Sequence, residues 1–390
     1  MFAPRTSFAL ALWLLCAATA MAQPALTETP AAITAPEEEE TAAAEPRTYD
    51  EGFRLATGPD HFSLTMNGFV QARYTGQSRR QGDSSQNFDV ALARLALGGG
   101  AFDEKVSYFF QLEASTFGDT NRLSLLDGWM QYAMRPNTTV KAGRLLLPYS
   151  RQFLTHPGNL LFTDLSGADY AFHLPRAIGV QVGSSRGRFG FDAAIANSVR
   201  ALDAGGQQNR TGALATMARA EAAILGPYGY LESAPGARVP RQLSVGVALA
   251  YNPIAEASVM QNVLPGDRTT GVTVDGGYRD GRLTLQAAGY QRHNRTGSGD
   301  LTDRGGYLQG GLYVVPPTWE VAARVSAVDF DIVRAPGIFS ETREYEVGLN
   351  RYLHGHHVKL QGDAGVVRHR RADATRVDDR RVRLQLQLLF

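Results

Sequence analysis

Residues 381–390 read RVRLQLQLLF. A period of two puts Val382, Leu384, Leu386, Leu388 and Phe390 on one face of a strand and Arg381, Arg383, Gln385 and Gln387 on the other. One face suits an apolar medium and the other suits water. A soluble sandwich can use such a strand, and so can a membrane barrel with lipid outside and an aqueous lumen inside. The rest of the chain has to choose.

Outward from this stretch the same alternation recurs in segments of about ten residues bounded by turn residues. The clearest are FSLTMNGFVQARY (62–74), VSYFFQLEAS (106–115), QLSVGVALAY (242–251), RLTLQAAGYQR (282–292), TWEVAARVSAV (318–328) and HVKLQGDAGV (357–366). With the weaker segments the pattern predicts sixteen strands, over 61–74, 88–98, 105–117, 122–135, 138–148, 176–184, 187–197, 213–225, 242–252, 268–278, 282–292, 305–315, 318–330, 341–353, 356–368 and 380–390. The best helical candidate, MARAEAAIL (217–225), also fits alternation.

Connection lengths favour the barrel. Turns near 99–104, 136–137, 185–186, 279–281, 316–317 and 354–355 are mostly short, whereas 75–87, 149–175, 198–212, 253–267, 293–304, 331–340 and 369–379 are long. Short periplasmic turns facing long extracellular loops are the rule for outer-membrane barrels of even strand number. Two connections break it. The outer one at 118–121 is short, and the periplasmic one at 226–241, GPYGYLESAPGARVPR, is long enough to hide an uncounted pair of strands. The third outer connection, YSRQFLTHPGNLLFTDLSGADYAFHLP (149–175), is too apolar for a solvated loop. It is expected to fold into the lumen and narrow it, the alternative being a latch on a neighbouring subunit.

The first 22 residues carry Arg5, an apolar run over 8–20, and Ala20-Met21-Ala22 before Gln23, the layout of a cleavable secretory signal. Cys16, the only cysteine, lies inside it, so the chain beyond has no disulfide or thiol chemistry. No later stretch is apolar enough for a helical span. Residues 23–56 are Pro/Ala/Glu-rich, with Glu37, Glu38, Glu39 and Glu40 in a row, and read as a flexible acidic leader. The expected barrel domain, 57–390, holds 36 basic and 30 acidic residues, a formal charge of +6. Its bases are arginines except for Lys105, Lys141 and Lys359. Arginine suits oxyanions through its planar fork, although genomic base composition explains the excess equally well.

The stretch LSLLDGWMQYAMRPNTTVKAGRLLLPYSRQFL (123–154) resembles the phosphate-selective porin O and P family, with Asp127, Trp129, Tyr132, Gly143, Pro148 and Tyr149 at the family's motif positions. RAIGVQVGS (176–184), GGYLQGGLYVVPPTWEVAARVSAVDFD (305–331) and YEVGLNRYLHGHHVKLQGDAG (345–365) extend the resemblance over most of 60–390. It implies a trimeric outer-membrane barrel of sixteen strands whose third extracellular loop folds inward and whose lumen favours anions. The chain departs from the family pattern at Leu146 and Leu147, where a basic residue is usual before the proline. It departs again at Ala91 and Leu92, which leave Arg94 alone of the family's consecutive arginines. Both changes weaken a phosphate-specific filter.

Parity places Arg73, Arg219, Arg282, Arg292, Arg324, Lys359, Arg381 and Arg383 in the lumen. It is ambiguous for Arg94, which shares parity with Val90 and Leu92, and for Arg144, since either Arg144 or Lys141 must face outward. Arg151 and Arg176 bracket the third loop. The candidate pore-lining, anion-binding set is therefore Arg73, Arg94, Arg144, Arg151, Arg176, Arg219, Arg292, Arg324, Lys359 and Arg383. Charges lining a lumen set selectivity when they attract an ion yet hold it weakly. The structural alternative is that these cations pair with the inward acids Glu113, Glu221, Asp275, Glu320, Glu344, Glu346 and Asp363 and stiffen the wall. Tyr74, Trp129, Trp319, Tyr345 and Phe390 fit interfacial aromatic girdles. His354, His356 and His357 cluster on a turn with no carboxylate nearby, which argues against a metal.

No phosphate loop, Ser-His-acid order or zinc spacing is present. The expectation is an all-β, transmembrane antiparallel barrel that acts as an outer-membrane porin for passive diffusion of small hydrophilic solutes. It would prefer anions mildly, phosphate or other oxyanions among them, and need no cofactor or nucleic acid. Expected partners are small anionic solutes, membrane lipid, two further copies in a homotrimer, and the barrel-insertion machinery, through the strand ending in Phe390. Two other readings remain open, an outer-membrane enzyme of the lipase kind and a secreted soluble β-sandwich that binds a ligand.

Overall fold

The computed structural model describes residues 52–57, 62–79, 84–115, 122–198, 212–233, 240–253, 268–296, 299–331, 339–371 and 375–390. The expected signal, most of the leader, and the short connection at 118–121 lie outside them. No helix is long and apolar enough to cross a membrane.

Seventeen strands form one sheet. They are β1 Phe53–Thr57, β2 Phe62–Arg79, β3 Ser85–Ala101, β4 Asp103–Ser115, β5 Arg122–Arg135, β6 Thr138–Leu145, β7 Ala177–Arg186, β8 Phe189–Asn197 and β9 Leu214–Leu225. The series continues with β10 Gln242–Asn252, β11 Arg268–Arg279, β12 Leu283–Thr296, β13 Gly299–Val315, β14 Trp319–Asp329, β15 Phe339–His354, β16 Val358–Arg371 and β17 Arg376–Leu389. Each strand from β2 to β17 pairs antiparallel with the next, and β17 returns to β2, from Asp379 opposite Arg79 to Leu389 opposite Phe69. The barrel thus closes with sixteen strands and leaves no open edge, as lipid requires. Phe390 adds a reciprocal pair of backbone bonds to Gly68, at 2.6 and 2.9 Å. The ring of Phe390 fills the space where a Cβ on Gly68 would stand, 2.3 Å away.

The extra strand β1 pairs with the start of β2, Phe53 opposite Met66 and Thr57 opposite Phe62. It occupies the same edge of β2 as β17, just beyond Phe390, and takes up the last four residues expected in the leader.

Burial follows the pleat. On β17, Arg383, Gln385 and Gln387 are buried, whereas Val382, Leu384, Leu386, Leu388 and Phe390 are exposed. On β14, Glu320, Arg324 and Ser326 are inside and Val321 and Val325 outside. This inversion of the soluble pattern, apolar outside and polar inside, is the signature of a barrel whose solvent is lipid.

The segment between β6 and β7 turns into the barrel. It holds α1 (Arg151–Leu154), a 3-10 turn (Pro157–Asn159) and α2 (Gly167–Phe172). Phe153, Leu160, Leu161 and Phe162 are fully buried, and each stabilises the inward fold by about 1.5–3 kcal/mol of apolar burial. Short helices need caps: Ser150 accepts from the Phe153 N–H and Ser166 from the Asp169 N–H. Tyr149, Leu145, Leu147, Leu174 and Ala177 pack with Ala194, Ala196, Ala215, Met217 and Ala248. That cluster fills the extracellular half of the lumen along β6–β10, where small alanines make room for the loop's larger side chains.

The long periplasmic connection at 226–241 conceals no strand among its described residues. It too bends inward, and Glu232 and Ser233 are fully buried.

The candidate channel lumen

A loop folded into a barrel brings backbone carbonyls with no secondary-structure partner, and each must be satisfied or cost free energy. The lumenal cations supply much of what they need. Arg324 Nη1 donates to Asp164 O at 2.8 Å and Arg73 Nη2 to Thr163 O at 2.7 Å. Lys359 Nζ donates to Gly158 O at 2.8 Å and Leu160 O at 3.1 Å, and Arg292 Nη1 to Ala171 O at 2.8 Å. Amides and acids add to these: Asn350 Nδ2 reaches Leu161 O at 2.8 Å, and Asp363 accepts from both the N–H and hydroxyl of Thr163. The third loop is pinned to β2 and β12–β17.

The remaining valence of these cations goes to carboxylates. Arg94 pairs with Glu113 at 2.7 Å, Arg176 with Asp127 at 2.9 Å, and Arg292 with Asp303 at 2.9 Å. Arg151 and Arg219 share Asp275 and Glu221. Arg324, Arg381 and Arg383 meet on Glu346, with Arg383 also reaching Asp363 and Asp164. Arg73 lies 3.5 Å from Asp164. The structural alternative raised for the arginines therefore describes their geometry. Glu320 differs from the other acids named for that role: its partners are Tyr352, Ser233 and Asn350.

Parity leaves Arg94 and the choice between Arg144 and Lys141 open, and Trp129 is expected in a girdle; the strand ladder decides all three. Arg94 points inward because a bulge at Ala91 shifts the β2–β3 register between Gln71 and Ala72 and resets the alternation. Arg144 stands opposite Gly128 and Ile178, on the parity of exposed Met130 and Ile178, so it leaves the pore-lining set; its Nε donates to Leu126 O. Lys141, opposite Gln131 and Gln181, takes the lumenal place instead. Trp129 is not in a girdle. It faces inward, stacked on Phe109 at 5.4 Å, with Lys141 Nζ 4.3 Å above its ring. Gly143 makes this possible: its φ is +133°, and a Cβ there would lie 2.7 Å from Trp129 Cα.

Sequence reasoning missed the inward periplasmic segment. Tyr228 lies between the guanidinium groups of Arg151 and Arg279, at 5.3 and 4.8 Å. Glu232 accepts from Gln152 Nε2 at 2.8 Å and from the Leu161 N–H at 2.7 Å, which ties this segment to the third loop. His356 spans the same junction: its two ring nitrogens lie 3.1 Å from Gly158 O and from Ser233 O. Burial and the Lys359 ammonium hold the imidazole down to about 3, so it is neutral at ordinary pH. The signal available in the sequence was two tyrosines, a leucine and a glutamate in what should have been a polar turn.

On the inner wall of β4–β8 towards the periplasmic end, Phe109, Trp129, Lys141, Gln181 and Asp192 remain only partly buried. Gln181 donates to Asp192 at 2.8 Å. Lys141, half-buried, lies over the Trp129 face and is attracted by the carboxylates of Asp192 and Asp127.

A closed barrel of sixteen strands, an inward third loop and charged walls narrow the choice, and comparison with known families decides it. The family described as phosphate-selective porin O and P matches residues 64–390. The chain belongs to this family. It is an outer-membrane porin, a channel for passive diffusion. Comparison with curated proteins gives no match. Among solved structures, the porin is similar to an anion-selective porin from Comamonas acidovorans, with a TM-score of 0.61 and 17% identity over 84% of this chain and 100% of that one. It is also similar to the outer membrane channel DcaP of Acinetobacter baumannii, with a TM-score of 0.59 and 12% identity over 87% and 100%. A third likeness is to the trimer form of OmpT from Vibrio cholerae, with a TM-score of 0.54 and 9% identity over 84% and 100%. At such identities these structures speak for the fold alone.

Proposed function

We propose that this porin passes small hydrophilic solutes with a mild preference for anions, and that the preference comes from Lys141 rather than from the arginines first singled out. Arg73, Arg94, Arg151, Arg176, Arg219, Arg292, Arg324 and Arg383 are held by carboxylates, and Lys359 by carbonyls; a cation so held contributes little field to a passing ion. The observation that carries the reading is the half-buried ammonium of Lys141, which lies beside the ring of Trp129 and is attracted by Asp192 and Asp127 but makes no direct ion pair among the described residues. Cation and ring attract by about 0.5–1 kcal/mol, enough to orient the ammonium and too little to neutralise it. Inorganic phosphate then passes as one oxyanion among others, not through a dedicated filter.

The porin works as a homotrimer and has no enzymatic activity on this reading; the trimeric form of one neighbour and the family itself support it. The strand ending in Phe390 is its contact with the barrel-insertion machinery. Reversal potentials in a KCl gradient across planar bilayers test the selectivity. The wild type should favour chloride modestly, Lys141→Met should shift the reversal potential towards zero, and Lys141→Glu should make the pore prefer potassium. Cation preference in the wild type, or no shift in either variant, refutes the assignment.

A further inference from the structure

Residues 57–390 carry a surplus of six positive charges, yet most of the lumenal arginines are matched by lumenal carboxylates. Much of the surplus sits on the opposite face. At the extracellular ends of β15, β16 and β17, Arg343, Arg368, Arg370, Arg376 and Arg380 share the outward parity of the exposed Val382 and Leu384. Among the described residues Asp329, Glu341 and Asp378 pair with them, so five bases meet three acids there. Arg343 reaches Asp329 and Glu341 at 3.0 and 3.2 Å, Arg370 reaches Glu341 at 3.7 Å, and Arg368 reaches Asp378 at 4.0 Å. Arg376 and Arg380 have no such partner among the described residues. Moreover Arg370 stands directly opposite Arg376 in the β16–β17 pair. Facing like charges destabilise a strand pair. The arrangement recurs on β11 and β12, where Arg268 faces Arg295.

The level of this patch identifies what relieves it. The apolar stripe of β17 runs from Val382 to Phe390, which at about 3.3 Å per residue and a tilt near 40° covers roughly 20 Å of membrane thickness. Arg380 begins where the stripe ends. Tyr345, 5.5 Å below the Arg368 guanidinium, and Tyr74, 5.0 Å from Phe88, mark the same boundary with outward aromatic rings. The arginines therefore stand at headgroup depth on the lipid side of the wall.

We propose that this patch is a docking site for a phosphorylated lipid of the outer leaflet, whose phosphate sits between Arg370 and Arg376 while its acyl chains lie on the apolar stripe below. Arg368 and Arg380 flank the phosphate, whose oxygens match their forks. Free phosphate would gain the charges but not the stripe, so the lipid is the occupant. The inference uses the membrane orientation of the porin but not its ion preference, and either can fail without the other.

The full chain in neutral detergent is titrated with lipid A bearing both phosphates, with the same lipid after phosphate removal, and with inorganic phosphate. Binding of the bisphosphorylated lipid should weaken at least tenfold, about 1.4 kcal/mol, on phosphate removal or in R370Q/R376Q. Inorganic phosphate at equal concentration should not displace it. Melting supplies a readout of opposite sign: Arg376→Gln should raise the transition without lipid, by removing the facing charge, and lower it relative to wild type with lipid. Conductance and reversal potential should stay unchanged in the double variant. Equal affinity for the dephosphorylated lipid, undiminished affinity in the double variant, or full displacement by inorganic phosphate would overturn the proposal.

Discussion

Glu232→Ala cuts the tie between the periplasmic segment and the third loop, and its cost can be worked from the contacts. The carboxylate accepts from the Leu161 N–H at 2.7 Å and from Gln152 Nε2 at 2.8 Å. Gln152 keeps a second acceptor, Gln309 Oε1 at 3.2 Å, whereas the Leu161 N–H is left buried and unmade. An unsatisfied buried donor costs about 1–3 kcal/mol and the second lost hydrogen bond about 1, so the closed arrangement loses about 2–4 kcal/mol. At 1.4 kcal/mol per decade that multiplies the population with the segment out of the lumen by roughly 30 to 700. Single-channel recording in planar bilayers should then show larger or more frequent high-conductance openings than the wild type. Glu232→Gln keeps one acceptor oxygen and should stay close to the wild type. Identical conductance histograms for wild type and Glu232→Ala would refute the claim that this segment rests in the conduction path.

Burial raises the Glu232 carboxyl above its ordinary 4.5. The folded state therefore holds a proton that the unfolded state has lost, and stability from this group falls as pH rises from about 4.5 through the raised value. High-conductance openings should accordingly become more frequent with rising pH in the wild type, and Glu232→Gln should flatten the profile. Arg176→Met should lower the thermal transition of the folded barrel by an amount equivalent to about 3 kcal/mol, because Asp127, fully buried, loses its charge partner; the double variant with Asp127→Asn should recover most of the loss on heated gels. Deleting Phe390 removes two backbone bonds to Gly68 and the ring that covers it. The yield of folded barrel should drop while the conductance of what does fold stays normal, and a normal yield would show that the residue is dispensable for assembly.

The barrel was legible in the sequence because lipid outside and water inside impose the same period on every strand. The windows 122–135 and 242–252 coincide with β5 and β10 end to end. Parity was ambiguous where the ladder itself is irregular: one bulged residue, Ala91, turns Arg94 inward, and no composition rule announces a bulge. Trp129 was misplaced because the glycine that seats its ring on the lumenal side, Gly143, lies on the next strand and meets it only through the β5–β6 pairing. The arginine surplus was visible as a number, but its division between wall faces depends on register. Arg370 and Arg376 are six residues apart in the chain and meet only through the pairing of β16 with β17.

The strand β1 bears on how such a barrel is made. Two partners share one edge of β2, and they reach it at different times. Thr57 is five residues from Phe62, its partner, whereas Gln71 and Gln387, which meet across the β17 seam, are separated by 316 positions. Loop-closure entropy grows with the logarithm of that separation, so the distant pairing carries roughly 3–4 kcal/mol more of it. The hairpin of β1 and β2 is consequently the early event and the seam the late one. Until β17 arrives, β1 occupies the hydrogen-bonding groups at the foot of β2 that would otherwise accept a strand from another chain. It serves as a temporary guard on an edge it then shares for good.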